Sequence, residues 1–121
     1  MRSLNDTGVF RHQALIDGVF VGSGDIEVRN PANGERLAAV PNFGAGEAGS
    51  AVAAAARAFP AWSARTAKDR AAILRRWFEL MVANRHDLAV ILTSEQGKPL
   101  LEALGEIDYA ASYVEFYAEE A

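Results

Sequence analysis

The clearest hydrophobic repeat lies near the end of the chain. Leu100, Leu104, Ile107, Ala111, Val114 and Ala118 step by four and three residues, a continuous seam on one side of a helix over about 99–120. Beside it runs an aromatic stripe of Tyr109, Tyr113, Phe116 and Tyr117. A helix apolar over so much of its circumference needs cover on more than one side. Upstream, Leu88, Ile91 and Leu92 mark a helix over 85–96, with Asn84 as its candidate cap. Gly97 suits the left-handed residue that closes it, and Pro99 suits the first turn of the next. Ile73, Leu74, Trp77, Leu80 and Met81 share a face of a helix over 66–83, with Thr66 as N-cap and Asp69 three residues on. An alanine-rich helix over 46–59 aligns Val52, Ala55, Ala56 and Phe59, and Pro60 is expected to stop it.

The first third of the chain alternates instead. Residues 14–40 predict two antiparallel β-hairpins. Asp17-Gly18 sits between Leu15-Ile16 and Val19-Phe20-Val21, a two-residue turn whose positions both need φ > 0. Asn30-Pro31-Ala32-Asn33-Gly34 separates the alternating Ile26–Arg29 from the return strand Arg36–Val40. Residues 1–13 are polar and form an arm. Hairpins this short need something to pack against. The segment is therefore mostly α-helical with N-terminal antiparallel hairpins.

Charge adds a division along the chain. The net charge is −4, which disfavours a nucleic-acid partner. Residues 57–86 carry seven Lys and Arg against Asp69 and Glu79, and residues 99–121 carry six acids and no Lys or Arg. The two faces either attract each other within one fold, or the acidic helix meets a basic partner. No cysteine is present among the 121 residues, so these residues supply no thiolate nucleophile or disulfide. The start has no apolar secretory core, and no apolar run approaches the roughly 20 residues that span a bilayer. A soluble, cytoplasmic protein with no membrane partner is the expectation.

Candidate chemistry is sparse. Gly44-Ala45-Gly46-Glu47-Ala48-Gly49 matches G-x-G-x-x-G, the glycine pattern that admits a dinucleotide pyrophosphate. Pro41-Asn42-Phe43 separates it from the preceding strand, and no strand follows before Asp69, so the βαβ context is missing. His12 and His86 are far apart with no second ligand at metal-binding spacing. No serine sits on a G-x-S-x-G elbow. Glu95, Glu102, Glu106 and Asp108 gather around the Gly97 break, where acids also suit a helix N-terminus.

Several short pieces, in order, resemble the beginning of aldehyde dehydrogenases: Leu15-Ile16-Asp17-Gly18, Asn30-Pro31-Ala32-Asn33-Gly34-Glu35, Ala58-Phe59-Pro60-Ala61-Trp62, Arg70-Ala71-Ala72-Ile73-Leu74 and Glu95-Gln96-Gly97-Lys98-Pro99. The last piece, continued by Leu100, Gly105-Glu106-Ile107 and Tyr109-Ala110-Ala111-Ser112-Tyr113, is most similar to the succinate-semialdehyde dehydrogenase branch. The resemblance implies an α/β fold with a Rossmann-type cofactor domain, of which residues 14–121 form the N-terminal part. It implies NAD or NADP as cofactor, a semialdehyde substrate, the remainder of a longer chain as partner, and a homo-oligomer. In that family a cysteine attacks the aldehyde and hydride leaves to the cofactor; those residues and the cofactor-binding strands fall after Ala121, so no catalytic or cofactor-binding residue is carried over. Glu95, with the backbone near Val28–Arg29, matches a structural cation position of some members. Glu106 and Tyr109 match a stretch near the substrate tunnel.

Two other readings remain beside it. One is a self-standing helical interaction module that uses the acidic, aromatic last helix; it predicts a cooperative unfolding transition and a monomeric, non-aggregating chain. The other is a nucleotide-binding module built on the glycine pattern.

Overall fold

The computed structural model describes residues 3–121. After a short 3-10 turn (Thr7–Val9), β1 (Ala14–Ile16) and β2 (Val19–Val21) pair antiparallel, with Leu15 opposite Phe20. Asp17 and Gly18 have φ of 54° and 77°, the two positive values that an Asp-Gly turn supplies. β3 (Ile26–Arg29) and β4 (Arg36–Val40) form a separate antiparallel pair, with a bulge between Val28 and Arg29. Their turn is closed locally: Asn30 Oδ1 accepts from the Ala32 amide and Asn33 Oδ1 from the Glu35 amide, both at 2.9 Å.

The first helix, α1 (Ala45–Ser63), departs from the expectation in two ways. It runs through Pro60 instead of stopping at Phe59, and the Ala64 amide still bonds the Pro60 carbonyl at 3.1 Å. Proline removes one donor, but Ala56 and Pro60 are both exposed, so water can solvate the carbonyl left over. Its packed face is also rotated. Ala51, Ala54, Ala55 and Ala58 line a shallow cleft with Leu15 and Ile16 of β1, while Val52 and Phe59 stand 70 % and 64 % exposed. The small residues win because they let the hairpin approach the helix backbone.

α2 (Ala67–Ala83) begins where Thr66 Oγ1 accepts the Asp69 amide at 3.2 Å. It is turned in part from the expected face: Leu74 and Met81 are half-buried as expected and Phe78 joins them, whereas Ile73, Trp77 and Leu80 are exposed. Arg75 lies on the inner side, and its bonds to Glu115 (2.8 Å) and Glu119 (3.1 Å) fix that rotation. α3 (Arg85–Gln96) follows at once. Asn84 does not cap it by side chain; its Nδ2 donates back to the Leu80 carbonyl at 2.9 Å and finishes α2. Gly97, at φ 79°, closes α3 in the left-handed conformation, and a Cβ there would sit 2.9 Å from Pro31 Cγ.

α4 (Leu100–Glu119) is the spine, packed on both α2 and α3. The expected seam faces inward: Leu100, Leu104, Ile107 and Val114 are half-buried and Ala111 and Ala118 are buried, with Ala103 buried beside it. Seven of the eight buried described residues lie on α3 or α4, so the core sits between these helices. It is made largely of alanine, and each buried methyl-sized group contributes about 0.8 kcal/mol. Arg85 pairs with Asp108 (2.5 Å), and Lys98 with Glu106, so the basic and acidic stretches attract each other inside one fold. Exposed pairs of this kind contribute about 0–1 kcal/mol each, enough to orient helices. The aromatic stripe of α4 is not shielded by the chain's own residues. No helix of the described residues is long and apolar enough to cross a membrane.

Candidate functional site

The outer face of α4 presents a ladder of rings. At its start Tyr109, 65 % exposed, meets Tyr113 edge to face, with ring centres 5.0 Å apart at 82° and hydroxyl oxygens 2.5 Å apart. One turn on, Phe116 and Tyr117 repeat the arrangement at 5.3 Å and 81°. One-turn spacing brings Tyr109 and Tyr113 together, whereas Phe116 and Tyr117 are sequence neighbours; an edge-to-face pair is worth about 0.5–1.5 kcal/mol. The hydrogen bond to Tyr109, then partial burial, then the neighbouring Tyr117 push the Tyr113 hydroxyl above its ordinary pKa and keep it protonated. Ser112, Tyr113, Phe116 and Tyr117 surround a hollow of about 390 Å³. Such a surface can hold an apolar neighbour with hydroxyls at its rim; it carries no nucleophile.

Of the residues expected to matter here, Glu106 and Tyr109 share α4 but serve different neighbours. Lys98 Nζ donates to Glu106, across the break between α3 and α4. That cation offsets the charge of Glu106, the neighbour of Glu102 one helical turn on. Tyr109 belongs to the aromatic ladder.

A second concavity, about 470 Å³, lies between the β3–β4 turn and the end of α3. Asn30, Asn33, Thr93, Ser94 and Gly97 line it. Thr93 Oγ1 is buried there without a hydrogen-bond partner, and Ser94 Oγ donates to the Val90 carbonyl at 2.7 Å. Glu95 is exposed next to it, two residues before the Gly97–Pro31 contact. Among the described residues no three His, Cys, Asp or Glu side chains gather as a metal cage. A cation near Glu95 would have to draw on backbone carbonyls.

The glycine pattern is filled by the chain itself. Gly44 is the N-cap of α1, and Glu47 Oε2 accepts its amide at 3.0 Å. The backbone amide of Glu47 itself, then that of Gly44, holds the Glu47 carboxyl below its ordinary pKa. The preceding strands pair antiparallel, so Gly44–Gly49 does not open a βαβ unit. These residues do not fit a dinucleotide.

One polar cluster was not legible in advance. Asp87 is 3 % exposed at the start of α3 and accepts from the Asn5 amide (3.1 Å), Asn5 Nδ2 (3.0 Å) and the Asp6 amide (2.7 Å). These backbone donors, Asp6 first, hold its carboxyl below the ordinary value. An aspartate in a first helical turn is a visible signal, but not that its partners lie some eighty residues away. His86 Nδ1 lies 3.7 Å from Asp87 Oδ1, and His12 lies beside β4, so the histidines remain separate.

Comparison with known proteins gives consistent results. The aldehyde dehydrogenase family profile matches residues 20–121. The chain is 56 % identical over 120 residues to the succinate-semialdehyde dehydrogenase [NADP(+)] GabD of Escherichia coli, covering 97 % of this chain and 25 % of that protein. It is 54 % identical over 121 residues to a glutarate-semialdehyde dehydrogenase of Pseudomonas putida, covering 98 % of this chain and 25 % of that one. The crystal structure of an E. coli NADP-dependent enzyme superposes with a TM-score of 0.94 at 55 % identity, over 98 % of this chain and 25 % of that one. The chain thus spans about a quarter of the length of the relatives it matches.

Proposed function

The chain belongs to the aldehyde dehydrogenase family, and from that premise we propose that it is the N-terminal quarter of a cytoplasmic, NAD(P)-dependent semialdehyde dehydrogenase. The whole protein oxidises a dicarboxylic semialdehyde, succinate semialdehyde in the first instance, to the carboxylate, and works as a homo-oligomer. The observation that carries this reading is 56 % identity over nearly the whole chain to a succinate-semialdehyde dehydrogenase of which it spans a quarter. The segment's part is structural. It braces the cofactor domain, and the aromatic face of α4 is the surface on which the remaining three quarters sit.

Residues 1–121 contain no cysteine and therefore cannot form the covalent intermediate on their own. The test is turnover. The purified chain, its mass verified, gives no reduction of NAD or NADP with succinate semialdehyde; co-expression with the remaining three quarters of a relative restores it. Turnover by the chain alone would refute the reading.

Two local roles go with it. Glu95 and the carbonyls near Val28–Arg29 border a structural cation, a role dismissed if a metal-soaked crystal shows no anomalous peak there. Glu106 and Tyr109 lie near the substrate tunnel of the whole enzyme. An unchanged semialdehyde KM after Tyr109→Ala in the intact enzyme would dismiss that role.

A further inference from the structure

We propose that the N-terminal arm is a strap and that Asp87 is the positioning residue that fastens it, tying α3 to the two hairpins. This does not depend on which semialdehyde the whole enzyme uses. Between Ser3 and Gln13 the described backbone has one short 3-10 turn, held by the Asp6 carboxylate accepting the Gly8 amide at 2.7 Å. Ordering such a segment costs conformational entropy, which scattered surface contacts do not offset. The offset is concentrated at one point. Three donors from Asn5 and Asp6 converge on a carboxylate that is 3 % exposed and sits on the best-packed element of the fold. Hydrogen bonds to a charged acceptor are about twice as strong as neutral ones. From that anchor the arm runs to the other half of the molecule: Phe10 and His12 lie beside Arg36 and Leu37 of β4, and the Arg11 guanidinium stands 5.0 Å over the Phe20 ring of β2. A break at Asp87 therefore frees both the arm and the hairpin contacts it carries.

Amide exchange in the full 121-residue chain tests this, with tryptic cleavage after Arg11 as a second readout. Asp87→Asn keeps the shape and removes the charge. The Asn5 and Asp6 amides should exchange at least about 10-fold faster, and cleavage after Arg11 should accelerate, while the Val90 and Ser94 amides keep their protection. Asn5→Asp places a second carboxylate against Asp87 without touching α3 and should release the arm in the same way. Asp87→Glu retains the acceptors and should restore part of the protection. Unchanged arm exchange in Asp87→Asn or Asn5→Asp would overturn the strap. So would loss of protection at Val90 and Ser94 together with the arm, since Asp87 would then be a general core residue.

Discussion

The helical half, α2 to α4, and the strand half, the hairpins with α1, face the same problem and solve it differently. Both leave large apolar side chains outside: Trp77, Tyr113 and Phe116 in one, Leu15, Val19 and Phe59 in the other. In the helical half, small residues beneath those rings interlock. Ala89, Ala103, Ala111 and Ala118 are buried, and ion pairs from Arg75 and Arg85 cross from α2 and α3 to α4. In the strand half only Ala54 is buried, and two two-stranded sheets lie side by side without pairing. The comparison teaches that close backbone approach, more than bulk hydrophobicity, gives this chain what core it has. The bulky groups are available to a covering surface.

The largest effect should come from blocking that approach. Ala103→Leu and Ala111→Leu overpack the buried side of α4 and should each cost about 1–3 kcal/mol in denaturant unfolding followed by circular dichroism. Ala54→Leu, in the looser half, should cost less than either. An equal loss at all three sites would erase the distinction between the halves.

Next comes the surface. Trp77→Glu should change the stability of the isolated chain by less than about 0.5 kcal/mol, because its side chain is exposed, and Phe116→Glu by about 0.5–1.5 kcal/mol, the worth of its ring contact with Tyr117. Both should lower binding of a hydrophobic dye. In the intact enzyme Phe116→Glu should be strongly disruptive, and a neutral result there would remove α4 from the proposed interface.

Acid should separate the halves through Asp87. Its folded pKa is depressed below the ordinary 3.8. Its stabilising contribution is therefore present above that value and lost as pH falls through the lower folded pKa. The facing groups are His86 on α3 and Asp6 on the arm, whose own carboxylate is turned to the Gly8 amide. Arm amides should stay protected at neutral pH and open only in strong acid. Opening near neutrality would point to another group.

The smallest effect is electrostatic. A double-mutant cycle on Arg75 and Glu115 should give less than about 1 kcal/mol, falling further in high salt.

How much of this was readable depended on whether the signal was local. The Asp17-Gly18 turn, the Gly97 closure and the α4 seam follow from backbone chemistry and periodicity, and the structure has them in place. The inner faces of α1 and α2 did not follow. Hydrophobicity alone ranks Val52, Phe59 and Trp77 as core, whereas the partner element selects Ala54 and Phe78. Pro60 looked like a stop because the solvation of the Ala56 carbonyl is not written in the sequence. The Glu106–Lys98 contact spans only eight residues, yet the turn between the helices decides it. Asp87 was invisible as an anchor because its donors arrive from the other end of the chain.

The central claim is that the aromatic face of α4 is an interface awaiting the rest of a longer dehydrogenase. Hydroxyl-radical footprinting of Tyr109, Tyr113, Phe116 and Tyr117 tests it directly, in the isolated chain and after association with the remaining three quarters of a relative. The account predicts rapid modification alone and strong protection in the complex. Equal modification in both states, with activity restored, would contradict it.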